Sequence, residues 1–247
     1  MSLTVNRMIA ALREFHSAFG VTQAETPTLQ SEQVRQLRVN LMTEEFEELT
    51  TGFKTGNRRE ILDGLCDSFY VVVGSMLSYG YVNSKKFPNI DVLLASTKPV
   101  FAYKWDIGKA EWDRIMSRFL ALTNRPGDEV GTVVNIGLRI TFEDMLIQLR
   151  HIAVFTGFLP VLADAFEEVH RSNMSKLCET QEEAERTVAA QERLGVPCRF
   201  EQCEINERRY YRVLRNSDAK VIKSVDYSAA ELGKFLVGTE PAVTTTP

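Results

Sequence analysis

Apolar residues recur at three- and four-residue spacing along much of the chain, and that spacing predicts helices. Val5, Met8, Ile9, Leu12, Phe15 and Phe19 predict an amphipathic helix over residues 3–19, closed at Gly20. Ser31 and Glu32 open a second, longer helix through Val34, Leu37 and Leu41, ending near Gly52 or Gly56. A third starts after Asn57 and runs through Ile61, Leu65, Phe69, Val72 and Met76 to Tyr79-Gly80. Its Val71-Val72-Val73 run favours strand, but the flanking periodicity favours helix. Residues 160–172 return to a clean helical pattern, and a highly charged helix follows at about 179–194, closed by Gly195 and Pro197. Alternating runs at 208–214 and 220–223 predict a β-hairpin turned by Asn216-Ser217-Asp218, and a last short helix is expected at 228–236.

Residues 83–159 break the pattern with Pro88, Pro99 and Pro126, although helical spacing recurs near 110–122 and 141–156. This stretch reads as an insertion between core helices, serving packing or oligomerisation. The expected architecture is mainly α: a four-helix-bundle-type core from 1–82 and 160–178, the long helical insertion, and an extension at 179–236 with a small β-hairpin. All are expected in a single domain, and the tail at 237–247 is expected to be disordered.

Composition narrows the function. The chain has 247 residues and a formal net charge of -4, which does not suit gripping a nucleic-acid backbone. Cys66, Cys178, Cys198 and Cys203 have no CxxC spacing, so free thiols are expected rather than a zinc cluster or a disulfide framework. No leader is recognised and no window reads as a membrane span, so a soluble cytoplasmic protein without a membrane partner is expected. There is no GxxxxGK[ST] phosphate loop and no GxSxG nucleophile elbow.

The candidate chemistry lies in Met42-Thr-Glu-Glu-Phe-Glu-Glu-Leu49 and Ile61-Leu-Asp-Gly-Leu-Cys-Asp67. On a helix, Glu44, Glu45 and Glu48 crowd toward one face while Glu47 falls off it, and Asp63 and Asp67 stand one turn apart. If the two helices pack antiparallel, their carboxylates meet. Hard oxygen donors suit Mg²⁺ or Mn²⁺. The bland alternative, a solvated acidic face, weakens because Asp63 and Asp67 sit among Ile61, Leu62, Leu65, Phe69 and Tyr70. His170 reads as structural. Arg38, six residues before Glu44, reads as a surface arginine beside the site at best.

Glu44-Glu45-x-x-Glu48 followed by Asp63-x-x-x-Asp67-x-x-Tyr70-Val71-Val72-x-Gly74 resembles the MazG-like all-α nucleoside triphosphate pyrophosphohydrolases, whose pattern is EExxE and then an acidic helix of ExxD type. Val169-His170-x-Ser172-Asn173-Met174-Ser175-Lys176 and Asp218-x-Lys220-Val-Ile-Lys223 with Tyr227 resemble later elements of the phage and bacterial phosphoribosyl-ATP pyrophosphohydrolase-like subgroup. The resemblance covers about 1–82 and 160–236, and departs at Gly64, where the ExxD pattern is expected to place an acid and Asp63 is expected to take over. It implies hydrolysis of a nucleoside triphosphate, with a purine deoxynucleotide such as dGTP or dATP preferred and phosphoribosyl-ATP as the alternative. A non-catalytic metal- or nucleotide-binding helical protein is the reading outside enzymology. The resemblance also implies Glu44, Glu45, Glu48, Asp63 and Asp67 as metal ligands and Glu45 or Glu44 as the base. Asn173, Lys176, Lys220 and Lys223 are implied on phosphate, in a homodimer or homotetramer.

Overall fold

The computed structural model describes residues 5–82, 105–124, 131–217 and 219–239. The fold is mainly α. The described helices are α1 (Val5–Phe19), α2 (Glu32–Thr55), α3 (Arg58–Ser78), α4 (Trp105–Thr123), α5 (Thr132–Phe155), α6 (Leu162–Met174) and α7 (Gln181–Arg193). Strands β1 (Cys198–Ile205) and β2 (Arg208–Arg215) form one antiparallel sheet, and a 3-10 turn covers Leu232–Phe235. The chain divides into two compact units, the first comprising Met1–Leu12, Thr22–Phe166 and Leu232–Pro247, the second Arg13–Val21 and Glu167–Glu231.

In the first unit, α2 and α3 form an antiparallel helical hairpin. The Ser31 hydroxyl accepts from Val34 N at 3.3 Å to start α2. Gly56, left-handed at φ 66°, closes α2, and Asn57 Oδ1 accepts from Arg59 N and Glu60 N to start α3. The strand-favouring valines Val71–Val73 are helical, because α3 is buried on nearly every side and packing overrides propensity. Contrary to the expectation that no window reads as a span, α3 is long and apolar enough to cross a membrane, yet 89% of that window is buried within the protein. It is the core helix of this unit.

Two helices of the 83–159 insertion also build this core. Trp112 stacks on Phe46 with ring centroids 4.2 Å apart, and Trp105 stacks on Phe53 at 3.9 Å. Phe119 and Phe142, both fully buried, close on Tyr79 with centroids at 5.6 and 6.1 Å. Gln148 Nε2 donates to the Gly108 carbonyl at 2.9 Å, tying α5 to α4.

In the second unit, β1 and β2 pair from Cys198↔Arg215 to Ile205↔Arg208. Their turn is Asn206-Glu207, both with positive φ (50° and 63°), which fits a two-residue hairpin loop. This corrects the expected hairpin: the partner of 208–215 is the preceding strand, and the return at 220–223 makes a single bridge, Leu214↔Val221. The Asn-Glu turn lacks the usual glycine, which hid it. Asp218 of the expected turn lies outside the described residues. The short helix expected at 228–236 reduces to the 3-10 turn. Thr180 and Glu183 cap the start of α7, with Glu183 N donating to Thr180 Oγ1 at 3.1 Å and Glu179 N to Glu183 Oε2 at 2.8 Å. All four cysteines are free thiols.

Candidate active site

The seam between α2 and α3 is set by two glycines. A Cβ on Gly64 would stand 2.8 Å from both N and Cα of Leu49, and one on Gly52 would stand 2.9 Å from Ile61 N. Those contacts fix the register: Leu49 lies against Gly64 and Gly52 against Ile61. Val39, Met42, Phe46 and Leu49 form the buried stripe of α2. Glu44, Glu45 and Glu48 flank that stripe on one side, with Glu44 and Glu48 exposed and Glu45 half-buried. Glu47 lies on the opposite flank and lines a separate groove with Lys54, Lys109 and Trp112. On α3, Asp63 and Asp67 are half-buried and Glu60 is exposed. The register brings Asp67 level with residues 45–46.

The acids act on one another across the seam. The Glu48 carboxyl is raised above its ordinary value by burial first, then by Glu44, Asp63 and Glu60. Asp63 is raised by burial, opposed by the Arg59 guanidinium and reinforced by Glu60. Glu44, Glu48, Glu60 and Asp63 therefore share one negative field. Their side chains do not close around a common point: among the described residues no three or more His, Cys, Asp or Glu groups stand close enough to hold a metal ion.

Position 64 has no room for a side chain. Gly64 faces the α2 backbone, where any side chain would collide. The acid one turn before Asp63 is Glu60, so Glu60-x-x-Asp63 supplies the ExxD spacing. Glu60, which the sequence reading did not single out, acts electrostatically on both Glu48 and Asp63.

The other candidates belong to the second unit, where they form two local arrangements. Lys176 Nζ donates to Asn173 Oδ1 at 2.6 Å. Lys223 Nζ lies 4.4 Å from the centre of the Tyr227 ring, and Tyr227 Oη meets Ser172 Oγ at 2.9 Å. Lys220 is exposed, and its backbone carbonyl accepts from Arg215 N at 2.9 Å. His170 Nε2 contacts Glu14 Oε2 at 3.2 Å, which fits its structural reading. A cavity of about 580 Å³ in this unit is walled by Glu14, Met174, Ser175, Glu179, Arg208 and Tyr210, and not by the four candidates.

Residues 12–87 match the phosphoribosyl-ATP pyrophosphohydrolase family. That segment holds both acidic helices and the glycine seam between them. The matched family is one of the MazG-like all-α nucleoside triphosphate pyrophosphohydrolase superfamily, and the match is confined to that segment. Over 201 residues the chain is 27% identical to "Uncharacterized protein L479" of Acanthamoeba polyphaga mimivirus, covering 78% of this chain and 79% of the relative. No solved structure matches. The MazG-like match implies a pyrophosphohydrolase that acts on nucleotides.

Proposed function

We propose that the chain hydrolyses a nucleoside triphosphate to its monophosphate and pyrophosphate, with Mg²⁺ or Mn²⁺ as the cofactor. One observation carries the reading. Glu44, Glu48, Glu60 and Asp63 share one negative field at a glycine-tight seam inside the family-matched segment, and burial first, then their mutual repulsion, raises Glu48. Carboxylates held so against repulsion are the hard donors a divalent cation takes. Glu44, Glu45, Glu48, Glu60, Asp63 and Asp67 are the proposed ligands. Bound there, the metal would lower the pKa of water and offset phosphate charge. Glu45, half-buried beside the seam, is better placed than exposed Glu44 to hold the proton of the attacking water. Asn173, Lys176, Lys220 and Lys223 supply donors suited to phosphate oxygens. A homodimer or homotetramer is the proposed assembly, to be read by light scattering.

A purine deoxynucleotide, dGTP or dATP, is the preferred substrate. The family match favours a second reading, phosphoribosyl-ATP, with the same chemistry. The test incubates the protein with each dNTP and with phosphoribosyl-ATP, in Mg²⁺ or Mn²⁺, and resolves the products by ion exchange. Monophosphate plus pyrophosphate supports the proposal, and the fastest substrate decides between the readings. Release of orthophosphate, or no turnover with any of them, excludes it.

A further inference from the structure

Arg38 does not lie on the surface, as its sequence position suggested. It is 5% exposed and belongs to the buried stripe of α2 with Val39 and Met42. Its Nε is buried without a hydrogen-bond partner, and no carboxylate pairs with it among the described residues. Burying a cation without a counter-charge is costly, so such a group survives where something else repays it. Burial pushes the guanidinium down to about 10, as expected for a cation with no anion beside it.

The group that acts on Arg38 electrostatically is the Tyr79 hydroxyl, a donor. The Leu49–Gly64 and Gly52–Ile61 register carries residues 35–38 of α2 level with the C-terminal turn of α3. There the Tyr79 hydroxyl is buried with no partner, and both Arg35 and Arg38 act on it electrostatically. Arg35 keeps Glu32 at 3.6 Å, a glutamate almost fully in solvent. Arg38 lies seven residues before Glu45. That is two turns, within about 20° on the helix face and about 10 Å along the axis. The acidic cluster and this group of donors therefore share one flank of α2.

We propose that Arg38 anchors a phosphate-binding subsite on the α2–α3 seam, with Arg35 and the Tyr79 hydroxyl as its further donors. The planar guanidinium presents paired N–H groups that match phosphate oxygens, and Tyr79 adds an O–H. The occupant is a phosphate group of the nucleotide other than the one under attack, held about two helical turns from Glu45. That assignment to the nucleotide rests on the proposed hydrolysis; the anion site itself does not.

The test is binding of inorganic pyrophosphate to the full chain in EDTA, at constant ionic strength, by calorimetry and thermal shift. In wild type, pyrophosphate raises Tm. Arg38→Met replaces the unpaired cation with an apolar side chain of similar length. It is expected to raise the Tm of the free protein, to abolish the pyrophosphate shift, and to weaken binding by roughly tenfold or more. Arg38→Lys keeps a charge but not the fork, and is expected to retain a partial shift; it serves if the Met variant does not fold. An undiminished shift in both variants overturns the subsite, as does a wild type that does not respond to pyrophosphate. Because nothing turns over in EDTA, binding lost in Arg38→Met supports the subsite whether or not any nucleotide is later hydrolysed.

Discussion

The α2–α3 seam and the second unit treat charge in opposite ways. Along the seam Glu44, Glu48, Glu60 and Asp63 are held against one another, and burial adds to the cost at Glu48 and Asp63. In the second unit opposite charges meet: Arg171 Nη2 reaches Glu168 Oε1 at 2.7 Å, Arg212 Nη2 reaches Glu201 Oε2 at 2.8 Å, and Arg186 Nη2 reaches Asp226 Oδ2 at 2.8 Å. Lys176 and Lys223, both nominated for phosphate, have Asn173 and the Tyr227 ring beside them. Both regions are dense in charge, so density alone does not mark a site. What separates them is how fully the fold answers its own charges: on the seam Arg59 stands 3.7 Å from Glu60 and opposes the rise at Asp63 without cancelling it. A region that keeps like charges together at a cost to stability is the one expected to work on a ligand.

The largest effect expected from that contrast is on turnover. Glu48→Gln, Asp63→Asn and Asp67→Asn should each lower kcat by about 10²–10³-fold while the circular dichroism of the fold is retained, a loss typical of removing a preorganised electrostatic group. Lys176→Ala and Lys223→Ala should act chiefly on KM, by about tenfold or less, since their removal costs binding to phosphate. Pyrophosphate release measures both. Equal losses from the two sets would break the comparison, and full activity in Glu48→Gln would remove the seam from the mechanism.

Next comes the packing that brings the acids together. Gly64→Ala would drive a Cβ to 2.8 Å from the Leu49 backbone, which cannot swing aside as a side chain can. Overpacking of this kind costs about 1–3 kcal/mol, which lowers Tm by roughly 2–4 °C per kcal/mol in a chain of this size. An unchanged melting curve would mean that α2 and α3 are not so close. In the second unit, Tyr227→Phe removes the hydroxyl that meets Ser172 Oγ at 2.9 Å in the intact protein. About 1 kcal/mol of stability should go with it, seen as a smaller fall in Tm.

The helices were legible because their signals are local. Ser31 and Asn57 as caps, Gly56 as a stop and the apolar spacing of α3 fixed most of the first unit from residues near one another in sequence. The acidic face was legible for the same reason, since three- and four-residue spacing decides which side chains share a helix face. Three features depended on contacts far apart in the chain. Gly64 looked like a missing ligand because nothing near it reveals that Leu49 presses against it. Arg38 looked exposed because its burial depends on α3 and the surrounding core. Strand β1 was hidden because Arg199, Glu201, Gln202 and Glu204 give it little apolar alternation, and its pairing is set by β2.

The smallest expected effect tests the idea of unanswered charge most directly. Glu48 and Asp63 are raised above their ordinary values of 4.5 and 3.8, burial leading in both cases. A carboxyl raised in the folded state binds its proton more tightly there than in the unfolded chain. Its contribution is fully present below the ordinary value and is lost as pH rises through the raised folded value. At neutral pH in EDTA these groups therefore work against the fold, and Glu48→Gln should raise Tm. The Glu44–Glu48 pair alone is a like-charge contact of about 0.2–0.5 kcal/mol, or about 1 °C. The gain should fade as pH falls below the ordinary carboxylate range, where wild type is protonated too. Added Mg²⁺ should reverse the order, because wild type gains a ligand that the variant holds less well. If Glu48→Gln lowers Tm in EDTA as well, the seam answers its own charge after all, and the contrast with the second unit is lost.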